Sequence, residues 1–206
     1  MEKELTALVV GLGNRDVTPD ALGPDVVSNL HITRHVIQEY GVQSMGKEYA
    51  NSISGLVPGV MAQTGMETLE IIRGVVDETK PDVVFAVDAL AARSTKRLNR
   101  TIQITDTGIN PGSGVGNHRN GLSEETLGVK VIGIGVPTVV DAATIVQDSM
   151  AHLLDTLEES EKKEFLEEMI SPSLHSMFVT PKDVDETIKR LSYTISEGLN
   201  MAFEQA

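Results

Sequence analysis

Apolar residues along this chain fall into short runs broken by glycine, proline and charge, and the runs alternate between two periods. Residues 5–11 (LTALVVG) are continuously apolar and stopped by glycine, the signature of a buried strand. From Pro19 to about His35 the pattern predicts a helix, with Pro24 tolerated in its first turns. A loop is expected around Gly55, Pro58 and Gly59. Residues 61–80 (MAQTGMETLEIIRGVVDETK) end in a helix that carries Leu69, Ile72, Val75 and Val76 on one face. Residues 82–87 (DVVFAV) predict a buried strand ending at Asp88. Residues 101–105 (TIQIT) alternate like an exposed or edge strand, and residues 129–135 (VKVIGIG) give another buried run. A helix is expected from Thr138 to about Leu157. The last helix is predicted with Thr180 as N-cap, Pro181 at its first position and Asp183 closing a capping box. Its stripe of Val184, Ile188, Leu191, Ile195 and Leu199 should dock on the core. The charged stretch 157–168 (LEESEKKEFLEE) reads as a solvated helix or a flexible excursion. No internal repeat is visible.

Alternation of this kind predicts an α/β fold: a twisted, mostly parallel sheet with helices on both faces. In such sheets ligands sit beyond the carboxyl ends of the strands, where the strand order switches. Asp20 follows the first strand and Asp88 ends a later one. Both are therefore expected at the same edge of the sheet.

The chain has 206 residues, enough for a substantial core and most simply one domain over residues 1–206. With 3% aromatics and no tryptophan, that core must rest on Val, Ile, Leu, Met and Ala. The absence of cysteine excludes disulfides, thiolate metal sites and a cysteine nucleophile. The opening MEKELTALVVGLGN is too acidic, and its apolar run too short, for a signal peptide. No run reaches the length of a membrane span, so a cytoplasmic location is expected. A net charge of -13 argues against direct nucleic-acid binding, which needs clustered Lys and Arg.

Common catalytic motifs are missing. GLGNRD lacks the third glycine of a dinucleotide fingerprint, and Asp16 stands there with a charge that would repel a pyrophosphate. No GxxxxGKS or GxxxxGKT phosphate loop occurs. Ser113 in PGSGVG lacks the upstream glycine of a nucleophile elbow. His31 and His35 are four apart on an expected helix, but no HExxH accompanies them, so a surface helix is the simpler reading. Carboxylates are left as the candidates for chemistry. Two of them close together cannot both ionise freely, so one can activate water while the other protonates a departing amine. The spacing fits equally well with Asp20 capping its helix and Asp88 capping a turn.

Several long stretches resemble the germination proteases (spore proteases) of endospore-forming bacteria: GLGN, VTPDALGP, PGVMAQTGMET, FAVDALAARS, TIQITDTGINPGSGVGN, VIGIGVPTVVDA and SMFVTPKDVDETIKRLSYTISEGLN. More distantly, the GxGN opening and the later aspartate resemble hydrogenase-maturation endopeptidases, which grip nickel with paired carboxylates. The first resemblance implies an endopeptidase that degrades small acid-soluble spore proteins in the spore core, assembled as a homotetramer. It places the catalytic aspartates on Asp20 and Asp88, in a non-covalent aspartic-type hydrolysis without a cofactor. Asn14 and the glycine-rich 112–116 loop with Ser113 are expected as donors to a tetrahedral oxyanion, although a plain turn also accounts for that loop. No metal is expected, because the carboxylates have at most His118 beside them and nickel or zinc favour nitrogen and sulfur. Arg93, and Arg97 after it, are expected to bind a glutamate near the cut in the acidic substrates; a solvated face or subunit contact would account equally for this basic cluster. Family members carry a longer N-terminal region with a removable propeptide, and the stretch near 150–172 is short beside theirs. The alternatives are a non-catalytic relative that binds spore protein and a metal-dependent maturation peptidase.

Overall fold

The computed structural model describes residues 4–46, 48–112, 120–151, 158, 161–162, 165 and 169–205. Its strands are β1 (Thr6–Gly11), β2 (Ser52–Leu56), β3 (Val83–Ala92), β4 (Gln103–Thr105), β5 (Lys130–Asp141) and β6 (Phe178–Val179). The α-helices among these residues are α1 (Leu22–Ser28), α2 (Arg34–Tyr40), α3 (Met61–Thr64), α4 (Thr68–Thr79), α5 (Glu124–Leu127), α6 (Ala142–Ser149) and α7 (Val184–Gln205).

The strands form one sheet in the order β2-β1-β3-β5-β4, with β6 against the far end of β5. β1, β2, β3 and β5 are parallel, while β4 and β6 run antiparallel to β5. The expected mostly parallel α/β sheet is therefore present. Alternation along the strands divides the core in two. Ala7 and Val9 of β1, Val83 and Val87 of β3, and Ile134 and Val136 of β5 pack with α1 and α7. Leu8, Val10, Val84, Ala86 and Val131 pack on the opposite face with Ile72 and Val76 of α4 and Leu127 of α5. On α7 the predicted stripe lies inward: Ile188, Ile195 and Leu199 are buried, and Val184 and Leu191 are partly so. Each buried side chain of this size contributes about 1.5–3 kcal/mol.

Other expectations are corrected. The helix expected from Pro19 to His35 is three pieces: a 3-10 turn at Thr18–Asp20, α1, and α2 after a break. Long-range hydrogen bonds hold that break open. Asn200 Oδ1 accepts from His31 N at 2.9 Å, and Thr33 Oγ1 donates to Asn51 O at 2.5 Å. His31 thus lies outside any helix while His35 lies in α2, and both are exposed, so the helical i, i+4 pair does not exist. The loop expected around Gly55 contains β2, whose pairing with β1 overrides its weak strand propensity. β3 does not end at Asp88 but continues to Ala92. β5 runs on to Asp141, which replaces the first four residues of the helix expected from Thr138. Asp141 is that helix's N-cap, its Oδ1 accepting from Thr144 N at 2.8 Å. Thr180 caps nothing, because its hydroxyl donates to Thr138 O at 3.0 Å and α7 begins at Val184. Most of the charged stretch 157–168 lies outside the described residues.

Candidate active site

The strand order reverses at β1, which has β2 on one side and β3 on the other. Asp20 lies in the connection that leaves β1, and Asp88 lies in β3 one residue beyond the last β1–β3 pair, Gly11 with Val87. The two aspartates line a single cleft of about 570 Å³ at the carboxyl ends of the strands. Arg93 and Arg97 line the same cleft, as do Gln103 of β4 and Phe178 of β6.

Asp20 is held by its own loop. It ends the 3-10 turn Thr18–Asp20, and neither that turn nor α1 has a side-chain N-cap bond. Its Oδ2 accepts instead from Asn14 N at 2.7 Å. Gly13 makes this approach feasible: its φ is +109°, and a Cβ there would strike the Asp20 carbonyl oxygen and lie 3.0 Å from Oδ1. From the other side, Thr138 Oγ1 donates to Pro19 O at 2.6 Å. Thr138 is the extra residue of a β-bulge, since Leu90 pairs with Pro137 and Ala91 with Val139. The bulge turns a buried hydroxyl (1% exposed) toward the turn that presents Asp20.

Asp88 is 4% exposed, and its Oδ1 accepts from Ala89 N at 3.0 Å. It sits inside a strand, so it caps no turn. Residues 91–100 (AARSTKRLNR) hold four basic residues, of which Arg93 and Arg97 reach the cleft lining and Lys96 and Arg100 do not. Their turn is tied to α6 by Asp148, whose Oδ2 accepts from Thr95 N (2.6 Å), Thr95 Oγ1 (2.7 Å) and Ser94 Oγ (3.0 Å). The Thr95 hydroxyl bond is the largest cause holding the Asp148 carboxyl below its ordinary range; burial opposes it, and the Thr95 amide, Ser94 and the Lys96 charge add to it. A depressed folded pKa means that this tie stabilises above the unfolded pKa of about 3.9 and is lost as pH falls through the folded value. Asp148→Asn is expected to cost less than about 1 kcal/mol at neutral pH, because solvent screens the charge of this partly exposed carboxylate. In urea denaturation the gap from wild type should close in acid.

The structure brings Asp20, Asp88, Arg93 and Arg97 into one cleft. Asn14 stands next to Asp20, but its backbone N–H is engaged by the carboxylate and its Oδ1 accepts from Asp16 N at 3.0 Å. Ser113 and His118 lie outside the described residues. Among the described residues, no group of three or more His, Cys, Asp or Glu is arranged to hold a metal, and no helix is long and apolar enough to cross a membrane. Thr138 and Asp148 were not legible as site residues: each acts through a contact remote in sequence, with no local motif.

The fold and cleft define an α/β protein with two carboxylates lining one cleft at its switch point. Sequence comparison makes this more specific. The profile described as Germination protease matches residues 1–156 and 150–206, and the chain belongs to that peptidase family. A germination protease of Caldanaerobacter subterraneus is 48% identical, covering 99% of this chain and 68% of that protein. One from Bacillus subtilis is 42% identical over 254 aligned positions, covering 100% of this chain and 68% of that protein. Because 254 positions exceed the 206 residues here, that relative carries segments with no counterpart in this chain. Among solved structures, a NiFe hydrogenase maturation protease HycI from Thermococcus kodakarensis is similar at 18% identity and TM-score 0.42, covering 95% of this chain and 93% of that one.

Proposed function

We propose that this chain is an endopeptidase that cuts small acid-soluble spore proteins during germination, with Asp20 and Asp88 as the reacting carboxylates. One observation carries the reading: the two aspartates, 68 positions apart in the numbering, line one cleft at the strand switch point. With one carboxylate ionised and the other protonated, the first takes a proton from water as its oxygen attacks the peptide carbonyl. The second gives its proton to the departing nitrogen, leaving a new carboxyl and a new amino terminus. No covalent enzyme intermediate is needed. The location proposed is the spore core, and the assembly a homotetramer, as the resemblance implies.

Arg93 and Arg97 give the cleft a positive wall in a chain of net charge -13. A guanidinium can grip a carboxylate through two parallel hydrogen bonds, so Arg93 is assigned to a substrate glutamate near the cut. The test is digestion of a purified small acid-soluble spore protein, with fragments identified by mass spectrometry. A defined ladder of fragments supports the reading, whereas binding without cutting would favour a non-catalytic relative. On substrates that differ only by Glu or Gln near the cut, wild type should prefer Glu and Arg93→Gln should lose that preference. An undiminished preference would assign the basic cluster to solubility or assembly.

A further inference from the structure

β3 outlasts its neighbour. Pairing with β1 ends at Gly11 and Val87, yet β3 continues for five more residues, Asp88–Ala92. All five line the cleft beside Asp20. Val87 O accepts from Leu12 N at 2.8 Å, so the main-chain groups of Val87 face β1. In a strand these groups alternate sides, and those of Ala89 and Ala91 therefore face the space that β1 has vacated. Ala89 N–H is engaged by Asp88 Oδ1. Among the described residues, no backbone bond outside the β3–β5 ladder reaches the Ala89 carbonyl or the N–H and C=O of Ala91. Leu90 and Ala92 face the other way, into the ladder with β5.

We infer that the polypeptide substrate binds here as an added strand, its main chain hydrogen-bonded to Ala89 and Ala91 along the open edge of β3. The inference rests on the reading of this cleft as the hydrolytic site. An exposed strand edge is a template for an extended peptide, which supplies the alternating donors and acceptors that the edge lacks. This edge begins at Asp88, so a strand laid along it passes a carboxylate with its peptide bonds at strand spacing. Ala89, Ala91 and Ala92 keep the side chains beside that path small. Recognition is then chiefly of backbone, with side-chain preference left to every second residue of the substrate. The cut segment must be extended to be held.

Amide hydrogen exchange in the Asp20→Asn variant tests this, with synthetic peptides that tile a small acid-soluble spore protein as the probe. In the free protein the Ala91 amide should exchange rapidly and those of Leu90 and Ala92 slowly. Saturating peptide should slow Ala91 by at least about 10-fold, as a new hydrogen bond does, and leave the other two unchanged. Ala91→Pro in the otherwise wild-type chain removes an N–H that the sheet does not use. It should raise KM by about 10-fold or more at a nearly unchanged melting temperature. No peptide binding, or binding that leaves Ala91 exchange untouched, overturns the inference even where Asp20→Asn has abolished cutting. Protection of Ala91 in a variant that still cuts would keep the added strand and overturn the role of Asp20. If Ala91→Pro fails to fold, the exchange result decides alone.

Discussion

Asp88→Asn and Asp20→Asn are each expected to slow cleavage of a spore protein by about 10²–10⁴-fold, the range carried by a positioned acid or base. The substitution keeps the side chain's shape and removes its ability to hold or release a proton at working pH. Asp88 is 4% exposed inside β3, and an amide of nearly equal volume leaves the surrounding packing in place. For Asp20 the amide oxygen can still accept from Asn14 N, so the loop keeps its bond and loses only the charge on the acceptor. Both variants should give circular dichroism spectra like wild type. Cutting at the wild-type rate by either variant would remove that residue from the chemistry.

Gly23→Ala is expected to be strongly destabilising. Gly23 sits in the first turn of α1, which packs flat against the end of β1. A Cβ there would meet the carbonyl oxygens of Leu12 and Val87 and lie 2.6 Å from Leu12 N. All three are backbone atoms, of Leu12 just past β1 and of Val87 in β3, so no side chain can swing away and α1 must lift off. The cost is expected at about 3 kcal/mol, near the upper end for overpacking. In a chain of this size that lowers the melting temperature by about 6–12 °C. Gly74→Ala is the contrast, because that glycine is exposed in α4 with no atom within 4 Å of an added Cβ. It should be stabilising by about 0.5–1 kcal/mol. Equal melting temperatures for Gly23→Ala and wild type would contradict the close approach of α1 to the sheet.

The sequence made legible what depends on periodicity within one element. β1 is a plain apolar run, and the stripes of α4 and α7 recur at helical spacing, so local pattern and burial agree. The position of Asp20 after a strand, and of Asp88 in another, was legible for the same reason. Partners distant in the chain decided the rest. The run expected to end at Gly135 and the helix expected from Thr138 meet in one strand, with a bulge where Thr138 reaches back to Pro19 across more than a hundred residues. The helix break at 29–33 is pinned by Asn200 on α7, and no window around His31 contains that residue. Thr180 has the right chemistry for a cap, and its hydroxyl is taken by the bulge instead. The overhang of β3 past β1 is a register property, invisible until strand order is known.

Asp20 and Asp88 are proposed to act as one unit on one peptide bond. A double-mutant cycle on cleavage of a purified small acid-soluble spore protein tests it most directly, with Asp20→Asn, Asp88→Asn and the double variant assayed under one condition. Residues that act as a unit lose their effect together. The double variant should therefore cut no more than a few-fold slower than the slower single variant. Losses that multiply, with the double variant slower by the product of the two single effects, would contradict the paired mechanism.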